Sequence, residues 1–148
     1  MHAAAAAGLG FLLSVLWFDL MFDVQARHPR TGDLPADVRD SIAAYYRRVT
    51  TAARPMNRLI ALAMLVTLGA LVGEIVTGDV AAGFAWASLA LAASAIGLAA
   101  ARTVRNAVRL GTQDDDVATQ TALARRILAD HLACLAAIAI ALGLQIVA

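Results

Sequence analysis

From position 80 to position 101 the chain runs twenty-two residues without a charge, and three further stretches come close to that length. A helix needs roughly 20 apolar residues to cross about 30 Å of hydrocarbon. The stretch 3–22 is interrupted only by Asp19, and 59–77 only by Glu74. A fourth, 128–147, reaches full length when Leu128 is counted with the apolar run that follows His131. Of the 148 residues 61% are hydrophobic, against about 45–50% for an ordinary soluble domain. A chain this short has too little interior to hide so much apolar surface. The expected fold is therefore an all-α integral membrane protein, a single four-transmembrane-helix bundle over residues 1–148 with spans near 3–22, 59–77, 80–101 and 128–147.

The charges between these runs are sharply partitioned. All twelve basic residues are arginine. Seven lie between the first and second runs (Arg27, Arg30, Arg39, Arg47, Arg48, Arg54, Arg58) and five between the third and fourth (Arg102, Arg105, Arg109, Arg125, Arg126). The termini and the Gly78-Asp79 turn have none. By the positive-inside bias, segments 23–58 and 102–127 are expected in the cytoplasm and both termini outside. With no basic n-region and no small-residue cleavage site, the first run is expected to stay as a membrane helix. The arginine- and alanine-rich composition suggests a bacterial genome and hence the inner membrane. Trp17, Phe18 and Phe22 near one end of span one, and Trp86 near the other end of span three, suit the two interfaces.

The cytoplasmic segments carry helical periodicity of their own. Val38, Ile42, Tyr45, Tyr46 and Val49 follow Pro35 at helical spacing, with Arg39, Asp40, Arg47 and Arg48 on other faces. This predicts an amphipathic helix between spans one and two, lying on the membrane or under the bundle. Span three is expected to run on through Arg109 and stop at Gly111. Span four is expected to begin at Asp114-Asp115-Asp116, whose carboxylates suit a helix N-terminus. At 1.5 Å per residue the two would each be about 45–50 Å long. Gly69/Gly73, Ala90/Ser94 and Ala139/Gly143 are small-residue pairs of the kind that lets helices approach in lipid, within one chain or between copies.

One layer collects the polar residues. Asp19 and Asp23 are four apart on one face of the first helix. Arg54, Asn57 and Arg58 open span two at that level, Arg102, Arg105 and Asn106 close span three, and Asp130 and His131 enter span four. Ionisable residues at membrane depth default to functional candidates. Asp19 is the deepest acid on that side, and His131 is the histidine placed to exchange protons near neutral pH. The structural alternative is that Asp19 pairs with Arg102 or Arg58 and simply locks helices together. Glu74 is expected near water at the outer end of span two, and His2 and His28 are expected to be exposed.

The chemistry is narrowed mainly by exclusion. A single cysteine, Cys134, rules out an intramolecular disulfide and a thiolate metal cluster. No metal is expected at the layer, where arginines would repel a cation, and no cofactor is assigned. There is no phosphate-binding glycine loop and no supported nucleophile triad. Nucleic acid is not expected as a partner, because lipid head groups are the nearer anions. The leading expectation is a small inner-membrane protein that binds an anionic lipid or amphiphile at an arginine-rich cytoplasmic mouth, with membrane lipids, further copies of itself or another membrane protein as partners. The alternatives are a membrane enzyme acting on a lipophilic substrate through Asp19 and His131, and a small oligomeric proton- or ion-coupled transporter.

Overall fold

The computed structural model describes residues 1–28, 31–52 and 54–148, and the side chain of Arg54 also lies outside the described set. Arg30 of the arginine tally and the Arg54 side chain of the polar layer are therefore not placed. Most of the described residues are helical, with no strand among them. The order is α1 (His2–Asp23), α2 (Ala36–Arg47), α3 (Arg54–Thr77), α4 (Ala82–Leu98), α5 (Val104–Thr112) and α6 (Val117–Val147). A 3₁₀ turn, Val24–Arg27, extends α1, and single π-helical turns, Arg48–Ala52 and Ala99–Thr103, follow α2 and join α4 to α5. Four helices, His2–Arg27, Pro55–Thr77, Ala82–Thr112 and Val117–Val147, are long and apolar enough to cross a membrane.

The helices overrun the apolar stretches wherever the sequence lets the backbone stay helical. Alanine and leucine favour helix throughout, and no proline interrupts the rod from Ala82 to Thr112. That rod ends two residues later than expected. Gln113, at φ 58°, takes the left-handed cap, and Gly111 lies inside the last turn. Gly111 has a packing role instead. A β-carbon there would stand 3.0 Å from the backbone nitrogen of Arg47, so its absence lets α2 cross α5 closely. At the start of α6, Asp116 accepts from the Thr119 N–H at 2.7 Å, and Asp115 is held by Arg109 at 2.6 and 2.7 Å. Of the three carboxylates in that run, one caps the helix and another ties it to α5.

Two cores follow. Leu9, Leu12, Leu71, Ala92, Ile138 and their neighbours fill the space where α1 packs on α3 and α6, and α4 packs on α3 and α6. Leu20, Ile42, Tyr46, Leu110 and Ile127 form the second core, where α2 lies across α5 and the first half of α6. The apolar face of α2 is thus buried against protein. Outside these cores the long helices present large apolar side chains outward, among them Trp17, Leu62, Leu65, Val76 and Ile146. Small residues act elsewhere than expected. Ala90, Ser94, Ala139, Gly143 and Gly69 all face outward, whereas α1 packs against α3 at Gly8, where a β-carbon would overlap Thr67 Oγ1.

Candidate functional site

Asp19 and Asp23 leave α1 one turn apart and face α2 and α6. The hydroxyl of Tyr45 donates to Asp19 Oδ1 at 2.6 Å, and that of Tyr46 donates to Asp23 Oδ1 at 2.6 Å. His131, from α6, places Nδ1 2.6 Å from the other oxygen of Asp23 and Nε2 3.9 Å from Asp19 Oδ2. In the tautomer in which Nδ1 donates to the Asp23 carboxylate, Nε2 presents its lone pair. The Tyr45 ring stacks on Phe22 at 4.0 Å, which fixes the phenol over Asp19. Burial, reinforced by the neighbouring carboxylates, pushes both phenols well above the ordinary tyrosine range. Both hydroxyls therefore stay protonated as donors.

A second pairing lies beside the first. Arg102 grips Asp130 with both Nε, at 2.9 Å, and Nη2, and Thr103 adds a hydroxyl at 3.2 Å. Asp130 is buried while Arg102 reaches the surface. Arg102 is thus unavailable to Asp19, and the expected Asp19 pairing with Arg102 or Arg58 does not form. Asp19 is held by a tyrosine instead, and Asp23 is the more deeply buried of the two acids. Arg58 is exposed, Arg105 folds back onto the carbonyl of Ala101, and Asn106 is half-buried. Asn57 donates to the carbonyl of Thr50 at 3.2 Å.

Asp19, Tyr45, Tyr46, Thr50, Asn57, Thr103 and His131 supply the polar lining of a cavity of about 580 Å³. The rest of its lining is apolar, from Leu12 and Leu16 on α1 to Met64 on α3, Ile96 on α4 and Ala107 on α5. Both π-helical turns border it, through Val49 and Thr50 on one side and Ala99 and Thr103 on the other. Such turns are often found at functional sites. Met56, Val104 and Val108 line the cavity and are also exposed. It therefore opens through the apolar flank of the molecule, between the start of α3 and the α4–α5 rod. Among the described residues, no arginine lines it.

Tyr45, Tyr46 and Thr103 were not among the site residues read from sequence. The tyrosines counted there as part of the apolar face of α2. The available signal was that they are the chain's two tyrosines and stand adjacent in the helix that follows the acids of the first span.

The opposite end holds a second polar cluster and corrects the reading of Glu74. That side chain is fully buried. Gln145 Nε2 donates to Glu74 Oε2 at 3.1 Å and to Ser88 Oγ at 3.2 Å, while His2 Nδ1 lies 3.3 Å from Glu74 Oε1. His2 is half-exposed, with this nitrogen turned inward, whereas His28 is exposed. No family model, curated protein or solved structure matches this chain.

Proposed function

We propose that this chain is a four-span helical-bundle protein of the bacterial inner membrane, with its arginine-bearing end in the cytoplasm and both termini outside. Its function in this reading is to take a lipophilic molecule into the flank cavity and exchange a proton with it through His131 and Asp19. The membrane reading is supported by four helices of spanning length and by the outward apolar side chains, which only lipid or another apolar surface would cover. The orientation rests on the arginine partition.

One observation carries the functional reading. An imidazole held by a buried carboxylate presents its second nitrogen, 3.9 Å from another carboxylate, at the wall of an apolar cavity that opens sideways. Asp23 fixes the ring and its tautomer, leaving Nε2 to accept a proton. A polar group seated between Nε2 and Asp19 Oδ2 would hydrogen-bond to both, which is the reach a general acid–base pair needs. Apolar walls favour the rest of such a molecule, and a flank opening admits it from the bilayer without passage through water. The anionic-amphiphile reading concerns the surface instead. Exposed Arg48, Arg58, Arg105 and Arg126 suit lipid phosphates, and they lie outside the cavity.

Native mass spectrometry of the gently purified protein tests the site. A discrete lipophilic adduct is expected on wild type and reduced in Asp19→Asn and His131→Gln. Protein without an adduct, whose variants differ only in stability, would mean that the cluster is purely structural.

A further inference from the structure

The hydrogen-bonding state of the cavity wall selects among lipophilic ligands. Each donor-bearing side chain there is engaged with the protein. Tyr45 and Tyr46 donate to the two aspartates, His131 Nδ1 to Asp23, Thr50 to the Tyr46 carbonyl, Asn57 to the Thr50 carbonyl and Thr103 to Asp130. Apart from the second N–H and the oxygen of the Asn57 amide, the side-chain atoms there without a hydrogen-bond partner among the described residues are acceptors, Asp19 Oδ2 and His131 Nε2. Charge points the same way. Asp130 is matched by Arg102, but Asp19 and Asp23 share one imidazole. Counted over the described side chains, with both carboxylates charged, the Asp19–Asp23–His131 cluster carries more negative than positive charge whether His131 is protonated or neutral. An unmatched charge in a low-dielectric site is costly until a counter-charge arrives.

From this we infer that the cavity takes a lipophilic amine, bound as its ammonium. The inference rests on the flank cavity being a ligand site, as proposed above. An ammonium brings both missing quantities, N–H donors and one positive charge. It would bridge Asp19 Oδ2 and His131 Nε2 while its hydrocarbon lies along Leu16, Met64 and Ile96. Phe18 and Tyr45 also line the cavity, and aromatic rings attract a cation. A phosphate or carboxylate head would meet acceptors and negative charge instead.

The test uses the full chain in phosphatidylcholine nanodiscs, with empty discs as the partition control. The probes share one tail and differ in head: dodecylamine, dodecanol and dodecyl phosphate. The amine is expected to bind at least about tenfold more tightly than either other probe, and Asp19→Asn to remove about that factor, as loss of one charged hydrogen bond does. Two variants that fill the cavity from different helices, Ala61→Phe and Ala99→Phe, are expected to abolish binding, so that misfolding of one leaves the other to report. If dodecanol binds as well as the amine and both filling variants block it, the ammonium inference fails and the lipophilic site stands. Preferential binding of dodecyl phosphate overturns the inference outright. If amine binding is indifferent to both folded filling variants, the cavity is not the site and the reading beneath the inference fails as well.

Discussion

His131 and Asp23, 108 positions apart in the chain, lie 2.6 Å from each other through Nδ1 and Oδ2. The contact joins α1 to α6 and fixes which imidazole nitrogen faces the cavity. Tyr46 completes the arrangement by donating to the other oxygen of Asp23, so a buried carboxylate is satisfied from two helices at once.

Replacing Asp23 by Asn keeps the shape and removes the charge that holds the ring. We expect the imidazole of His131 to lose its single tautomer, read as a change in its ¹⁵N shifts in lipid nanodiscs, and stability to fall by about 1–3 kcal/mol. Unchanged shifts would show that Asp23 does not orient the ring.

The phenols give the protein an alkaline limit. Burial and the neighbouring aspartates raise both tyrosines in the folded state, while an unfolded tyrosine titrates near pH 10. Their contribution is therefore fully present below about pH 10 and declines as the pH rises above it. Thermal unfolding followed from pH 8 to about 11 should show a steeper loss for wild type than for the double variant Tyr45→Phe, Tyr46→Phe. At neutral pH, Tyr46→Phe alone is expected to cost about 1–3 kcal/mol by leaving a buried carboxylate oxygen unpaired.

At the other end, Gln145→Leu strips buried Glu74 and Ser88 of their shared donor. A loss of about 2–4 kcal/mol is expected. Combining it with Glu74→Leu should recover part of that loss, because the orphaned carboxylate is gone. A double variant no more stable than the single one would mean that Gln145 does not serve Glu74.

Gly8→Ala should separate α1 from α3. The added methyl meets Thr67 Oγ1, which already donates to the Ala63 carbonyl at 2.7 Å. Overpacking of this kind costs about 1–3 kcal/mol, and Thr67→Ala in the same chain should relieve it. Additive losses in the double variant would rule out this contact as the cause.

Orientation is open to a labelling experiment, because Cys134 is buried. A membrane-impermeant maleimide applied to intact cells should label Ala81→Cys and spare Asp114→Cys. The reverse pattern would invert the proposed topology.

Much of the architecture was legible in the sequence. The four long helices, the charge partition and the helix after Pro35 follow from composition and period, which act within a few turns of chain. The start of α6 at its aspartates was legible for the same reason, as a cap is a contact over three residues. Gly111 misled because a glycine near a helix end reads as a stop, and only the backbone of Arg47 against it reveals its packing role.

The polar layer was legible as a layer and not as a set of pairs. Depth along a helix can be counted from sequence, so Asp19, Asp23, Asp130 and His131 fell at one level. Their partners depend on how each helix is rotated about its axis and which neighbour it meets, and helices with apolar residues all round give little sign of either. The structure therefore decided that Arg102 meets Asp130 while Asp19 meets a tyrosine, and that Glu74 lies sealed beneath Gln145. The sequence by itself determined how many long apolar helices there are and where the charges sit between them, because those are sums over local residues. Helix rotation and contact between distant residues belong to the tertiary structure, and they turned a band of polar side chains into a cavity with one imidazole at its wall.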